Sequence, residues 1–241
     1  FSLVAIDQII NSAAKMLAMS GGAYSVPVVF RGPTGNAGQL GATHSSNFEN
    51  WFANTPGLKV IVPSNPYDAK GLMKAAIRDP DPVIFMESEV MYSDKGEVPE
   101  GEYLLPIGVA DVKRKGKDVT VISFGKMMKV ALEAAEEMAK EGIEAEVIDL
   151  RTVRPIDYAT CIESVKKTNR VVIVEEANPI AGISSELTYH FQRYAFDYLD
   201  SPIIRVNSMD IPLSYSPNYI EATLPNVKRT IDAIKKVCYK D

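Results

Sequence analysis

The residues best suited to chemistry lie in the run RGPTGNAGQLGATHS (31–45), where glycines recur at 32, 35, 38 and 41 before His44. Glycines let a backbone bend sharply and approach a ligand closely. Neither phosphate-binding fingerprint fits the run. A Walker A loop needs Gly-Lys-Ser/Thr, and a Rossmann loop needs its first two glycines two apart. Imidazole is the side chain best matched to proton transfer near neutral pH, which makes His44 a candidate acid or base. The alternative is a flexible surface loop carrying a structural histidine, although loops this long are usually functional or disordered. The second of the two histidines, His190, sits mid-helix between Tyr189 and Phe191 and reads as a helix-surface or interface residue.

Three further groups have both a chemical and a structural reading. Asp79-Pro80-Asp81-Pro82 sets two carboxylates two apart, which suits a hard cation; Asp and Pro also make turns for local reasons. Arg151 and Arg154, in RTVRPID (151–157), follow an apolar run, and ligands collect at the carboxyl ends of parallel strands. Their alternative is a capped strand-to-helix turn with solvated arginines. Glu175 and Glu176, after the next strand, stand in the same position. The acidic run from Glu133 to Glu141 reads as a solvated helix face.

These groups need elements to position them. Ile6, Ile9, Ile10, Ala13, Ala14 and Leu17 share one face at helical spacing, which predicts a helix over 5–18 stopped by Ser20-Gly21-Gly22. Strands are predicted at 26–30, 58–62 and 83–87, a short helix at 48–53, and a helix at 68–77 capped by Ser64 with Pro66 in its first turn. From 109 onward, apolar strands at 119–125, 145–150, 170–176 and 202–207 alternate with helices at 127–141, 157–167 and 184–196, and a final helix spans 226–237. Strands apolar on both faces and separated by helices imply parallel βαβ units with helices on either side. An acidic, Gly- and Pro-bearing stretch with no period separates the halves. The expected organisation is an α/β domain over 1–92, a linker over 93–108 and a doubly wound domain over 109–241.

Composition bounds the rest. The chain has 241 residues, 46% of them hydrophobic, 26 Lys plus Arg against 31 Asp plus Glu, and a formal charge of −5. That balance argues against nucleic-acid binding, which usually needs a basic face. Cys161 and Cys238 share no short spacing, so zinc ribbons and CxxC redox motifs are excluded. No apolar run approaches a membrane span. The opening Phe1-Ser2-Leu3-Val4 leads directly into a helical pattern and reads as a start inside a domain.

The segments AIDQIINSAAKMLAMSGG, VPVVFRGPTG, HSS, PGLKVIVPSNPYDAKGLMKAAIRDPDPVIFMESEVMY and VIDLRTVRPID, in this order, resemble the beta subunits of thiamine-diphosphate-dependent 2-oxo acid dehydrogenases, nearest to the pyruvate-specific branch. The resemblance covers essentially the whole chain. It implies an α/β fold: a thiamine-diphosphate-binding, pyrimidine-type domain lacking its start, then a transketolase C-terminal-like domain with a mainly parallel sheet.

It also implies a function. Such enzymes are α2β2 heterotetramers in which thiamine diphosphate lies between the subunits, the alpha subunit supplying the diphosphate and Mg2+ site. They decarboxylate a 2-oxo acid and pass the acyl group to a lipoyl domain of an acyltransferase core. In the family the glutamate that activates the aminopyrimidine lies upstream of Phe1. Phe1 matches an aromatic residue near that ring, and His44 matches the active-site histidine, followed here by Ser45 and Ser46 where relatives more often read Ser-Gln. A structural K+ would be held by oxygens of Val28, Ala76, Ile77, Asp79 and Asp81, mostly backbone carbonyls. Expected partners are an alpha subunit, a second beta subunit and the subunit-binding and lipoyl domains of the acyltransferase, with no nucleic acid and no membrane. Alternatives are a branched-chain 2-oxo acid dehydrogenase or, for the chain alone, a non-catalytic docking module. The expected compartment is a bacterial cytoplasm, with mitochondrial matrix and plastid left open.

Overall fold

Two runs buried along their whole length, Val83–Glu87 (β3) and Val119–Ser123 (β5), lie inside two separate sheets of the computed structural model, which describes residues 2–240. The first sheet has the order β1-β3-β2-β7, with β1 at Val29–Pro33, β2 at Lys59–Ile61 and β7 at Thr152–Arg154. β1, β3 and β2 are parallel, and β7 closes the edge antiparallel to β2. The second sheet runs β4-β6-β5-β8-β9, with β4 at Asp111–Arg114, β6 at Ala145–Asp149, β8 at Val171–Val174 and β9 at Ile204–Val206. Only β4, on the edge beside β6, is antiparallel in it.

Helices cover both faces, as apolar strands require. In chain order they are α1 (Met16–Met19), α2 (Glu49–Ala53), α3 (Pro66–Arg78), α4 (Met127–Lys140), α5 (Tyr158–Thr168), α6 (Ile183–Tyr194), α7 (Pro217–Thr223) and α8 (Val227–Val237). Met128, Ala131, Ala135 and Met138 of α4 and Ile234 of α8 pack on Val119, Val121, Val147 and Val172. Cys161 and Val165 of α5 and Leu187 and Phe191 of α6 pack on Ile122, Ile148 and Ile173 from the other side. That second cluster continues into the first sheet through Phe52, Val60 and Ile84, so one core serves both sheets.

Four expectations need correction. The segment predicted as one helix over 5–18 is broken into a 3-10 turn at Ser2–Ala5, a π-helical stretch at Gln8–Ala13 and α1. The Ala14 N–H reaches back five residues to the Ile9 carbonyl, and this wider turn sends Leu17 to solvent while Ile9, Ala13 and Ala14 stay buried. The cap of α3 is Asn65, whose side chain accepts the Asp68 N–H at 2.8 Å; with the helix starting at Pro66, Ser64 lies one residue too early. The first strand sits later than its apolar run, at 29–33. β4, β7 and α7 were not expected at all.

The stop after α1 follows the sequence: Gly21 and Gly22 take φ of 62° and 89°, open to glycine at little cost. At Gly57, φ is 96° and an added Cβ would lie 1.9 Å from the Ala14 carbonyl oxygen, so β2 and the first helical segment approach through this residue.

Candidate functional site

The glycine-rich loop leaves the carboxyl end of β1, the end at which open parallel sheets hold ligands. Three residues of the second sheet also follow strand ends: Lys126 after β5, Arg151 after β6 and Glu176 after β8. The loop is fixed to the first and last of these. Glu176 Oε1 accepts the Asn36 N–H at 2.7 Å and the Lys126 ammonium at 2.6 Å, and Lys126 also donates to the Asn36 carbonyl at 2.6 Å. Further along, Gln39 donates to the Tyr215 carbonyl at 3.0 Å, and Gly41, at φ 79°, lies flat against the Tyr215 ring. The Gly35 N–H closes the loop onto the Ser46 carbonyl at 3.0 Å.

His44 ends this loop in a 3-10 turn at Ala42–His44, with its side chain exposed. Beside it, Ala42, Ser45, Ser46 and Asn47 face Asn178, Ser208 and Asp210 across a cavity of about 440 Å³. That is a volume typical of small-molecule sites. The walls carry hydroxyls, amides and the carboxylates of Glu176 and Asp210, so the pocket is polar enough to orient a ligand.

Behind the loop, Glu49 at the start of α2 is 3% exposed and its Oε2 has no hydrogen-bond partner. Burial pushes this carboxyl up to about 7, aided by the charges of Glu176 and Glu175 and opposed by its own backbone N–H and by Asn47. A small cavity of about 20 Å³ lies among Glu49, Thr34, Ser88, Lys126 and Glu176. It has room for one water, which the unpartnered Ser88 hydroxyl and Glu49 Oε2 could share. Glu87, at the end of β3, is held by a bidentate bond from Arg31 at 2.7 and 2.9 Å and by the Tyr92 hydroxyl at 2.9 Å.

Arg151 is not the solvated residue of the structural alternative. It is buried, and its guanidinium donates to Asp68 at 2.7 Å and Asp111 at 2.8 Å. Lys113 reaches Asp68 at 2.8 Å as well. Burial opposes the charge on Asp68, yet bonds from Arg151 and Lys113 hold its carboxyl below the usual range. Asp149, bonded by the Ser64 hydroxyl, is pushed up to about 6 by burial. Glu175 accepts the N–H groups of Ile183 and Ser184 at 2.8 and 2.9 Å and so caps α6. Asp157 does the same for α5 through the Thr160 N–H at 3.1 Å. Arg154 donates to the Ala53 carbonyl at 2.6 Å, and His190 stacks 3.7 Å from the Tyr158 ring.

The residues expected to ligate a cation lie at the opposite, amino end of the first sheet. Val28 precedes β1 and its carbonyl accepts the Val83 N–H at 2.9 Å. Ala76 and Ile77 form the last turn of α3, and Asp79 caps it. The carboxylates of Asp79 and Asp81 are both taken by Lys59, at 2.6 and 3.0 Å. Any ligation there falls to main-chain carbonyls, which a helix carboxyl end presents in excess. Among the described residues no group of three or more His, Cys, Asp or Glu side chains could hold a metal. Phe1 lies outside the described residues.

Sequence reasoning picked out His44, Glu176 and Arg151 and missed Glu49, Lys126 and Asp68. Glu49 and Asp68 look like ordinary acids in a helix's first turn, and only packing from the other half buries them.

Residues 1–95 match the family described as transketolase, pyrimidine binding domain, and residues 108–229 match transketolase, C-terminal domain. The pyruvate dehydrogenase E1 component subunit beta of Rhizobium meliloti is 52% identical over 241 residues, covering 100% of this chain and 52% of the relative. The mitochondrial E1 subunit beta-1 of Arabidopsis thaliana is 48% identical, covering 100% and 67%, and the Rickettsia felis subunit is 47% identical, covering 99% and 73%. The chain thus spans about half to three quarters of the length of these relatives. A solved structure titled as a split-gene transketolase, an inactive beta4 tetramer, superposes with a TM-score of 0.79 at 24% identity, over 98% of this chain and 71% of that one; this likeness supports the fold. With two transketolase-type domains in order and such identity along its whole length, the chain belongs to the family of pyruvate dehydrogenase E1 beta subunits.

Proposed function

We propose that this chain works as the beta component of an acetyl-transferring pyruvate dehydrogenase, with His44 in its active site. The observation that carries this reading is the exposed imidazole at the end of a clamped glycine loop, beside a polar cavity, in a chain of this family. The proposed partners are an alpha subunit and a second beta subunit in an α2β2 heterotetramer, and an acyltransferase core with its subunit-binding and lipoyl domains. The pyrimidine-type domain over 1–92, the linker over 93–108 and the C-terminal domain over 109–241 are the proposed units. A bacterial cytoplasm is the proposed compartment; no helix among the described residues is long and apolar enough to cross a membrane.

Thiamine diphosphate, with Mg2+ on the alpha subunit, would supply the electron sink for decarboxylation. The cavity of about 20 Å³ at the ends of β1 and β3 has space for a water and not for a pyrimidine ring, so no pocket for the ring is assigned to the described residues there. What they can do is narrower. The loop walls off one side of the site, and His44 can orient a substrate oxygen or move a proton at its ring nitrogen. Replacing His44 with alanine in the assembled enzyme is expected to cut acetyl transfer to a lipoyl acceptor by at least about tenfold while the tetramer still forms. Unchanged turnover would remove His44 from the active site.

K+ at the carbonyls of Val28, Ala76, Ile77, Asp79 and Asp81 is likewise proposed. A cation bound only by the folded state raises Tm by mass action, with about 2.7 kcal/mol gained at a hundred times Kd. The expected result is a higher Tm in potassium chloride than in choline chloride of equal ionic strength. Equal values would count against the site.

A further inference from the structure

We infer that Lys126 and Glu176 form a clamp that positions the loop ending in His44, so that two residues of the C-terminal half set the geometry of a histidine from the N-terminal half. The inference rests on the reading of His44 as an active-site residue and extends it to Lys126 and Glu176, which hold the loop at Asn36. Between β1 and α2 the chain takes φ of 72°, 101° and 79° at Gly35, Gly38 and Gly41, and its only regular structure is the short turn at Ala42–His44. Such a segment has many conformations to lose and no ladder to choose one.

The choice is made at Asn36. Its N–H is held by Glu176 and its C=O by Lys126, and these two side chains are bonded to each other. Both backbone groups of one residue are therefore fixed by a single ion pair. The pair is 9% and 8% exposed, so it is little screened by solvent. Gly35 carries no side chain where it faces this pair: a Cβ there would lie 2.5 Å from Glu176 Oε2. The carboxylate is thus seated against the backbone itself. Lys126 stands at the start of α4 and Glu176 after β8, two elements anchored in the C-terminal core. Asn36 is consequently tied to a rigid base, and the closure from Gly35 to Ser46 carries that restraint to the residues flanking His44.

The test uses the full-length beta subunit assembled with its alpha subunit. Lys126→Met keeps the aliphatic stem and removes the ammonium; Glu176→Gln keeps the shape and removes the charge; Lys126→Arg keeps a cationic donor. Hydrogen exchange is followed at the amides of 36–46, alongside kcat and KM for pyruvate with a lipoyl acceptor. The expected result for Lys126→Met is loop exchange faster by about tenfold or more. Its kcat should fall by about tenfold while KM for pyruvate stays within about twofold. Glu176→Gln should fall in the same direction, and Lys126→Arg should restore kcat to within about threefold of the parent. Unchanged loop exchange in both neutral variants overturns the clamp. A lower Tm with kcat intact overturns the positioning role and leaves a structural ion pair. Parallel measurement of His44→Ala separates the two layers: unchanged turnover there overturns the active-site reading and the catalytic part of this inference, while the exchange data decide the clamp alone.

Discussion

Replacing Asp68 with alanine is expected to destabilise the folded protein by about 3–5 kcal/mol, the cost of breaking a buried ion pair from one side. Asp68 is completely buried, and its carboxylate receives Arg151, Lys113 and the side-chain amide of Asn65 at 2.7, 2.8 and 2.6 Å. Without it, Arg151 keeps only Asp111 as an anionic partner, and its Nε already has no acceptor. A guanidinium left in that position can neither reach water freely nor lose its proton. Asp111→Asn is the matched control. Asp111 is 35% exposed and shares both cations with Asp68, so its loss should cost about 1 kcal/mol or less. Urea denaturation of both variants at pH 7 checks the contrast, and equal losses would show that burial does not set the weight of these contacts.

The second large effect depends on pH. Glu49 is protonated in the folded protein up to about 7, against a usual value of 4.5. Between those values the folded state holds a proton that the unfolded chain has released. Stability therefore falls as pH rises through this window, and the full cost, about 3 kcal/mol, is in place above it. Glu49→Gln removes that cost. The variant should match the parent near pH 4.5 and exceed it by about 3 kcal/mol at pH 8, measured as the difference in unfolding free energy. Asp149, also raised by burial, contributes with the same sign to both proteins and cancels in the comparison. A difference that does not vary with pH would mean that Glu49 ionises normally.

Both effects arise where the sequence is least informative. The apolar runs give β3 to the residue, and β5, β6 and β8 to within a few, because a strand buried on both faces has few compositions open to it. The glycine loop and His44 are legible for a similar reason: their residue types have few other uses. The π-helical turn at Gln8–Ala13 is not, since Ile6, Ile9, Ile10, Ala13 and Ala14 fit an ordinary helix as well, and packing decides between them. Thr152–Arg154 is too short to show a period, and its partner Val60–Ile61 is remote in sequence. Glu49 and Lys126 look like routine helix-end charges until the two halves are brought together.

That remote partnership has a consequence for how the protein is made. During synthesis β1, β2 and β3 leave the ribosome long before residues 152–154, so the first sheet spends that interval with the edge of β2 open. An unpaired edge strand is a template for another chain. The nascent first sheet thus gains β7 only after translation has passed well into the C-terminal half, and a ribosome that stalls before that point would release a polypeptide primed to associate with its neighbours.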